Sequence, residues 1–234
     1  KTAYEISTRD WSSDVCSSDL STLSRGSWAL TESDPDFANV VLLLHMEGSN
    51  GSTSIVDSGP LGLAITTSNG TLSTAQSAIG GSSFYVPSSS QGQINLPVNS
   101  ALVLDGDFTI EWRVRHSSLS GKQQYFCNFN GTNAQIAYQS GLYFFPPNVT
   151  RSLSLSVDTW AALAITRSGG TMRWFKDGTL LGSATDTSTY SLSGGNICRN
   201  GSENFLGYFD EVRVTRSCRC TEDYTVRSTP FPDS

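Results

Sequence analysis

The imidazoles of this 234-residue chain are His45 and His116, and neither belongs to a G-x-S-x-G elbow or an H-E-x-x-H pair. Nucleophilic and zinc-dependent hydrolysis therefore lack recognisable machinery. Glycoside hydrolysis needs two carboxylates held at a set separation. Glu32-Ser-Asp-Pro-Asp36 is the densest acidic run, but it contains a proline. Cys218-Arg219-Cys220 is too cramped for zinc spacing and has no second Cys or His pair. What remains is binding chemistry. Tyr125, Phe126, Phe129, Tyr138, Tyr143 and Phe144 are interleaved with Asn128, Asn130, Asn133 and Gln135. Planar rings match the apolar faces of sugars and amides match their hydroxyls. Tyr125, Phe129, Asn130, Tyr138 and Tyr143 are the candidate ligand-binding residues, although period-two alternation could equally send half of these rings into a core.

The elements that would carry these residues are strands. Phe108 to Arg115 alternates strictly, with Phe108, Ile110, Trp112 and Val114 on one face and Thr109, Glu111, Arg113 and Arg115 on the other. Thr171–Phe175 and Thr179–Leu181 flank Lys176-Asp177-Gly178 as a hairpin with Met172 and Trp174 on one side. Trp160–Arg167 precedes it, and Tyr208–Thr215 places Val212 and Val214 inward. Trp112, Trp160 and Trp174 are expected in the core. Turn dipeptides recur at Asn50-Gly51, Asn69-Gly70, Asp105-Gly106, Asn130-Gly131, Asp177-Gly178 and Asn200-Gly201, where these residues supply positive φ. Several also match N-x-S/T, but the turn explains them without glycosylation. Many short strands at regular spacing predict an all-β fold, a two-sheet antiparallel jelly-roll sandwich.

Composition narrows the partners. A net charge of −6 with no basic run excludes a phosphate-backbone footprint, so no nucleic acid is expected. No apolar stretch approaches the ~20 residues of a membrane span. Four cysteines beyond residue 20 in a chain this long do not make a disulfide scaffold, and free thiols are expected.

The first twenty residues have a different character. Reverse translation of Asp10–Leu20 yields a run resembling a common sequencing adapter, and Lys1–Ile6 matches its outer part in the same frame. The segment has no apolar h-region of a signal peptide. Residues 1–20 are therefore expected to be adapter-derived and disordered, residues 21–36 a polar lead-in, and residues 37–234 one domain. Removing residues 1–20 takes away Lys1 and Arg9 against Glu5, Asp10, Asp14 and Asp19, so the acidic balance survives.

Five segments, in order, resemble the LamG-like jelly rolls of the concanavalin A-like superfamily, in the variety found in phage tail and virion-surface proteins. They are Val41-Leu-Leu-Leu-His-Met-Glu-Gly48 with Asp57-Ser58; Ser73–Ser77 with Gly80-Gly-Ser-Ser-Phe84; Asp107–Trp112; Trp160–Gly169 leading into Phe175-Lys-Asp-Gly178; and Gly207-Tyr-Phe-Asp-Glu-Val-Arg-Val214. The closing Pro230-Phe-Pro-Asp233 is similar to phage examples. Relatives often carry two successive aromatics where this chain has Trp112 before Arg113, and Cys218-Arg-Cys220 replaces the usual small and aromatic residues. The glucanase branch bears an E-x-D-x-x-E strand, which is missing from this sequence.

The resemblance implies a non-catalytic module that contacts carbohydrate or another host-surface molecule on a virion or extracellular surface. The alternatives are a structural or oligomerisation domain packed on other virion subunits and, third, an unrecognised glycosidase. It also implies a calcium ion, with Glu47, Asp57 and Asp210 as its ligands, since such ions take several converging oxygens. Deleting residues 1–20 is expected to leave stability within ~1 kcal/mol in urea unfolding, and a larger loss would overturn the adapter reading.

Overall fold

The alternating runs organise two antiparallel sheets in the computed structural model, which describes residues 33–87, 91–127, 135–145 and 149–234. The larger sheet runs, edge to edge, β14 (Thr179–Thr185), β13 (Thr171–Lys176), β12 (Trp160–Ser168), β7 (Phe108–His116), β19 (Gly207–Thr215), β4 (Ser83–Val86) and β3 (Thr71–Ser73). Its eighth strand, β1 (Val40–Leu44), pairs with the far end of β19. The smaller sheet runs β11 (Val149–Arg151), β10 (Leu142–Phe145), β9 (Gln135–Tyr138), β8 (Gln123–Cys127), β16 (Asn196–Ile197), β5 (Gln93–Asn95) and β2 (Thr66–Ser68). Two short pairs, β6 (Val103–Leu104) with β15 (Tyr190–Ser191) and β17 (Arg199–Asn200) with β18 (Glu203–Asn204), complete the described strands. No helix among the described residues is long and apolar enough to cross a membrane.

The core lies between the sheets. Phe108, Ile110, Trp112 and Val114 project inward from β7 as their spacing requires, and all four are buried. The Trp112 ring meets Tyr125 at 5.4 Å and Phe126 at 5.2 Å on the opposing β8, and Phe126 meets Phe209 of β19 at 5.9 Å. Removing a large ring from such a position typically costs 3–5 kcal/mol. The hairpin between β13 and β14 turns at Asp177 (φ 49°) and Gly178 (φ 80°). Gly178 is also required sterically, because a Cβ there would lie 1.9 Å from the Tyr224 carbonyl oxygen.

Trp112 and Trp174 are fully buried, whereas Trp160 is half-buried on the outward face of the larger sheet. The reason is register. Trp160 pairs with Arg115, which belongs to the outward set of β7.

Residues 217–234 form no strand and instead cross the outward face of the larger sheet as a strap. The Thr109 hydroxyl donates to the Ser217 carbonyl at 2.8 Å and the Thr166 hydroxyl to that of Cys220 at 2.9 Å. Arg113 donates to the Arg227 carbonyl, Arg219 pairs with Glu111 at 2.5 Å, and the guanidinium groups of Arg213 and Arg219 lie 5.1 and 5.5 Å from the Phe231 ring. This cover explains how Thr109, Thr166 and Thr215 can sit on an outward face and still be fully buried.

Candidate functional site

The outward face of the smaller sheet gathers two clusters of interacting polar side chains. Register places Gln135, Cys127, Asn196, Asn95 and Thr66 in one cross-strand row, because directly opposed residues share a face. Within and beside that row, the Asn95 amide donates to the Thr66 hydroxyl at 3.2 Å, and Gln93 donates to Asn95 Oδ1 at 2.6 Å. Arg199 Nη1 donates to Gln93 Oε1 at 3.4 Å. At the other end Lys122 Nζ donates to Gln135 Oε1 at 2.6 Å, pairs with Glu203 at 2.9 Å and stands 5.2 Å from the Tyr143 ring centroid. Gln93, Asn95, Lys122, Gln135, Tyr143, Asn196, Arg199 and Glu203 are all partly exposed. Amides, a guanidinium, an ammonium and a carboxylate are thus held in set orientations by one another. Such a surface can donate to and accept from neighbouring hydroxyls without first ordering its own side chains.

The sequence-predicted rings divide between core and surface. Tyr125, Phe126 and Phe144 are buried. Tyr125 is the extra residue of a β-bulge between Gln124 and Phe126, which turns its ring inward. Its hydroxyl lies 3.0 Å from His116 Nε2, and its partners include Trp112. Tyr125 therefore cannot act as a surface ligand contact. Tyr138 packs against the core on the same face as Leu142, whereas Tyr143 faces outward beside Lys122. Phe129 and Asn130, with Asn128 and Asn133, lie outside the described residues. Gln93, Asn95, Asn196, Arg199 and Glu203 escaped the sequence reading because two- and three-residue strands carry too little alternation to assign a face, and Lys122 because it precedes β8 and belongs to no strand.

Glu47, Asp57 and Asp210 each engage backbone amides. Asp57 is buried and accepts from the N–H groups of Leu43 (2.8 Å), Gly59 (3.0 Å) and Leu63 (2.8 Å), which pins the loop after β1. Glu47 accepts from Gly81 at 2.9 and 3.2 Å, and Asp210 accepts from Ala78 (2.7 Å), Ile79 (3.2 Å) and Glu211 (2.9 Å). Two of the three therefore hold the same 78–81 loop, and Asp57 holds another. Amide hydrogens face these oxygens where a cation would need them free. Among the described residues no group of three or more His, Cys, Asp or Glu side chains is placed to hold a metal. The residues do not fit a calcium cage. The described cysteines, Cys127, Cys198, Cys218 and Cys220, are free, as expected.

Two acids also line a cavity of about 110 Å³ between the strap and the larger sheet. They are Glu111 and Glu211, yet Glu111 is paired with Arg219, and Glu211 accepts from His45 at 2.8 Å and from the Phe231 amide at 3.3 Å. His45 reaches Asp233 at 2.7 Å through its other nitrogen. The space is small beside the ~300–1,000 Å³ of ordinary ligand pockets.

A family model described as the concanavalin A-like lectin/glucanases superfamily matches residues 87–223, more than half of the chain. The chain belongs to that superfamily. Solved structures with the same fold include the binding domain of Paraclostridial mosquitocidal protein 1, with 14% identity and a TM-score of 0.61 over 78% of this chain and 50% of that one. Domain 4 of AbnA, a GH43 extracellular arabinanase from Geobacillus stearothermophilus solved with arabinotriose, has 18% identity and a TM-score of 0.56 over 69% and 87%. A botulinum neurotoxin type C structure, whose study concerns cell entry through two ganglioside molecules, has 15% identity and a TM-score of 0.56 over 78% and 49%. The concanavalin A-like chain thus spans about half the length of the first and third of these. No curated protein sequence matches it.

Protonation of the buried groups makes stability depend on pH. Burial alone would lower the His45 pKa, but the Glu211 and Asp233 carboxylates outweigh it and raise the value from 6.5 to about 9. Burial lifts Asp210 from 3.8 to about 8 against the pull of its three amide donors. Both groups bind protons more tightly when folded, so each contribution is full below the unfolded value, declines above 3.8 for Asp210 and above 6.5 for His45, and is gone above about 8 and about 9. Burial lowers His116 from 6.5 to about 4, so its contribution is present above 6.5 and lost as pH falls through 4. Between about pH 4 and 6.5 the gain at Asp210 on acidification offsets the loss at His116, so urea unfolding is expected to show level stability there and a decline from 6.5 to 9; with His116→Gln, stability should instead rise as pH falls from 8 to 4. Asp57→Ala, which orphans three amides, is expected to cost about 2–4 kcal/mol in the same assay.

Proposed function

We propose that this concanavalin A-like chain is a non-catalytic recognition module that binds carbohydrate on the outward face of its smaller sheet. The observation that carries this reading is the two pre-ordered clusters, one from Thr66 through Asn95 and Gln93 to Arg199 and one joining Glu203, Gln135 and Tyr143 around Lys122. Hydroxyl-rich ligands are recognised by planar amides and charged groups that both donate and accept, with a ring at the margin. Structures sharing the fold add support, since domain 4 of AbnA was solved with arabinotriose and the botulinum neurotoxin study names gangliosides. The engaged state of Glu111 and Glu211 argues against a glycosidase, which requires one carboxyl free to protonate the leaving oxygen and another free to attack or activate water. The setting we infer, from the resemblance of Pro230-Phe-Pro-Asp233 and the five motifs, is a phage tail or other virion surface.

Binding of the full chain to a broad glycan array, with calcium and again with chelator, tests the reading. Selective binding is expected, with calcium making no difference. Asn95→Ala and Lys122→Ala should each weaken it about tenfold, corresponding to ~1.4 kcal/mol. Binding unaffected by either substitution would place the ligand elsewhere, and absence of any glycan binding would overturn the function.

A further inference from the structure

The opposite face of the sandwich carries a second row of a different kind. Register aligns Thr71 of β3, Tyr85 of β4, Tyr208 of β19, Arg115 of β7 and Trp160 of β12 across five neighbouring strands of the larger sheet. All five are half-buried, in contrast to the Thr166–Thr109–Thr215 row farther along the same face, whose three side chains are fully buried. The Tyr85 and Tyr208 rings stack with centroids 4.6 Å apart and 26° between planes, and the Arg115 guanidinium lies 5.7 Å from the Tyr208 ring on the same row. Arg115 donates to Asp158 at 2.8 Å, and the Asp158 side chain is 64% exposed. Beside it Val157 is 49% exposed.

We infer that this row is a second carbohydrate-binding strip, suited to a run of several sugars along an extended, uncharged polysaccharide. Three features lead to that ligand. The row is long: four inter-strand steps of ~4.8 Å make it roughly 19 Å from Thr71 to Trp160, which one sugar ring would cover only in small part. It is open, because the cavity beneath the strap is lined by other residues and none of the five row residues is enclosed. A chain end needs enclosing contacts to be told from the middle, and neither described cavity is lined by these five residues. The row is also electrically balanced and amphipathic, with ring edges and Val157 for sugar C–H groups, and phenols, the Thr71 hydroxyl and the Arg115–Asp158 pair for sugar hydroxyls. An acidic chain would meet Asp158 beside the one cation of the row.

The inference shares only its ligand class with the proposed function. Two-dimensional NMR of the full chain, titrated with a size series of neutral oligosaccharides taken from the best array hit, separates the two. The expected result is shift changes at the Trp160 indole and at the Tyr85 and Tyr208 amides that strengthen at least tenfold from disaccharide to pentasaccharide. The double substitution Tyr208→Ala with Trp160→Ala should abolish them while leaving the Lys122 and Asn95 responses intact. Responses confined to the smaller sheet would overturn the strip and leave the proposed function standing. Size-independent responses at the row would overturn its preference for extended chains, and silence on both faces with every glycan would overturn both readings. Because the substituted side chains are half-exposed, circular dichroism melts that match the unsubstituted chain would confirm that lost responses are local.

Discussion

Alternate side chains of Phe108–His116 must be buried against the opposing sheet, and the rest of the molecule is arranged around that requirement. Trp112 contacts Tyr125 and Phe126 across the interior, and β7 lies between β12 and β19 in the larger sheet. Because side chains alternate strictly, sinking Phe108, Ile110, Trp112 and Val114 forces Thr109, Glu111, Arg113 and Arg115 to the other side. The strap then answers the chemistry of those outward positions, accepting hydrogen bonds from Thr109, Thr166 and Arg113 and placing Arg219 against Glu111. A buried face of charged and hydroxylated residues is tolerable only because each has such a partner.

Carboxylates of the family motifs act in this chain as fasteners. Asp57, Glu47 and Asp210 each accept amide hydrogens from loop segments, Gly59 and Leu63, Gly81, and Ala78 and Ile79 respectively. Gly80 shows how closely the arrangement is fitted, since with φ 68° a Cβ there would come 1.8 Å from Glu47 Oε1. The same acids in the same positions could have been read as an ion site, and what distinguishes the two is where the neighbouring N–H groups point.

The two faces of the sandwich offer different surfaces to a ligand. The smaller sheet presents amides and charges already bonded to one another, with Tyr143 at its margin. The larger sheet presents a stacked aromatic and guanidinium row just beyond the edge of the strap. Pre-bonded groups lower the cost of ordering on binding, and a stacked row does so by a different route, through rings with few rotatable bonds.

Sequence alone determined the long elements, because eight residues of strict alternation admit one reading. β7, β12, the β13–β14 hairpin with its Asp177-Gly178 turn, and the inward Val212 and Val214 of β19 all follow from period two and turn chemistry. The family order of the motifs conveyed the sandwich. Tertiary structure decided the rest. Whether Tyr125 faces water depends on a bulge in β8 that shifts parity by one residue, and no local pattern announces a bulge. Trp160 faces outward because its register partner is Arg115, a pairing made by residues 45 positions apart. The Asn95, Gln93 and Arg199 cluster and the Lys122 and Gln135 cluster draw on strands from distant parts of the chain, several only two or three residues long. Surface rows that cross strands are products of register, and register is settled by the packing of the whole sandwich.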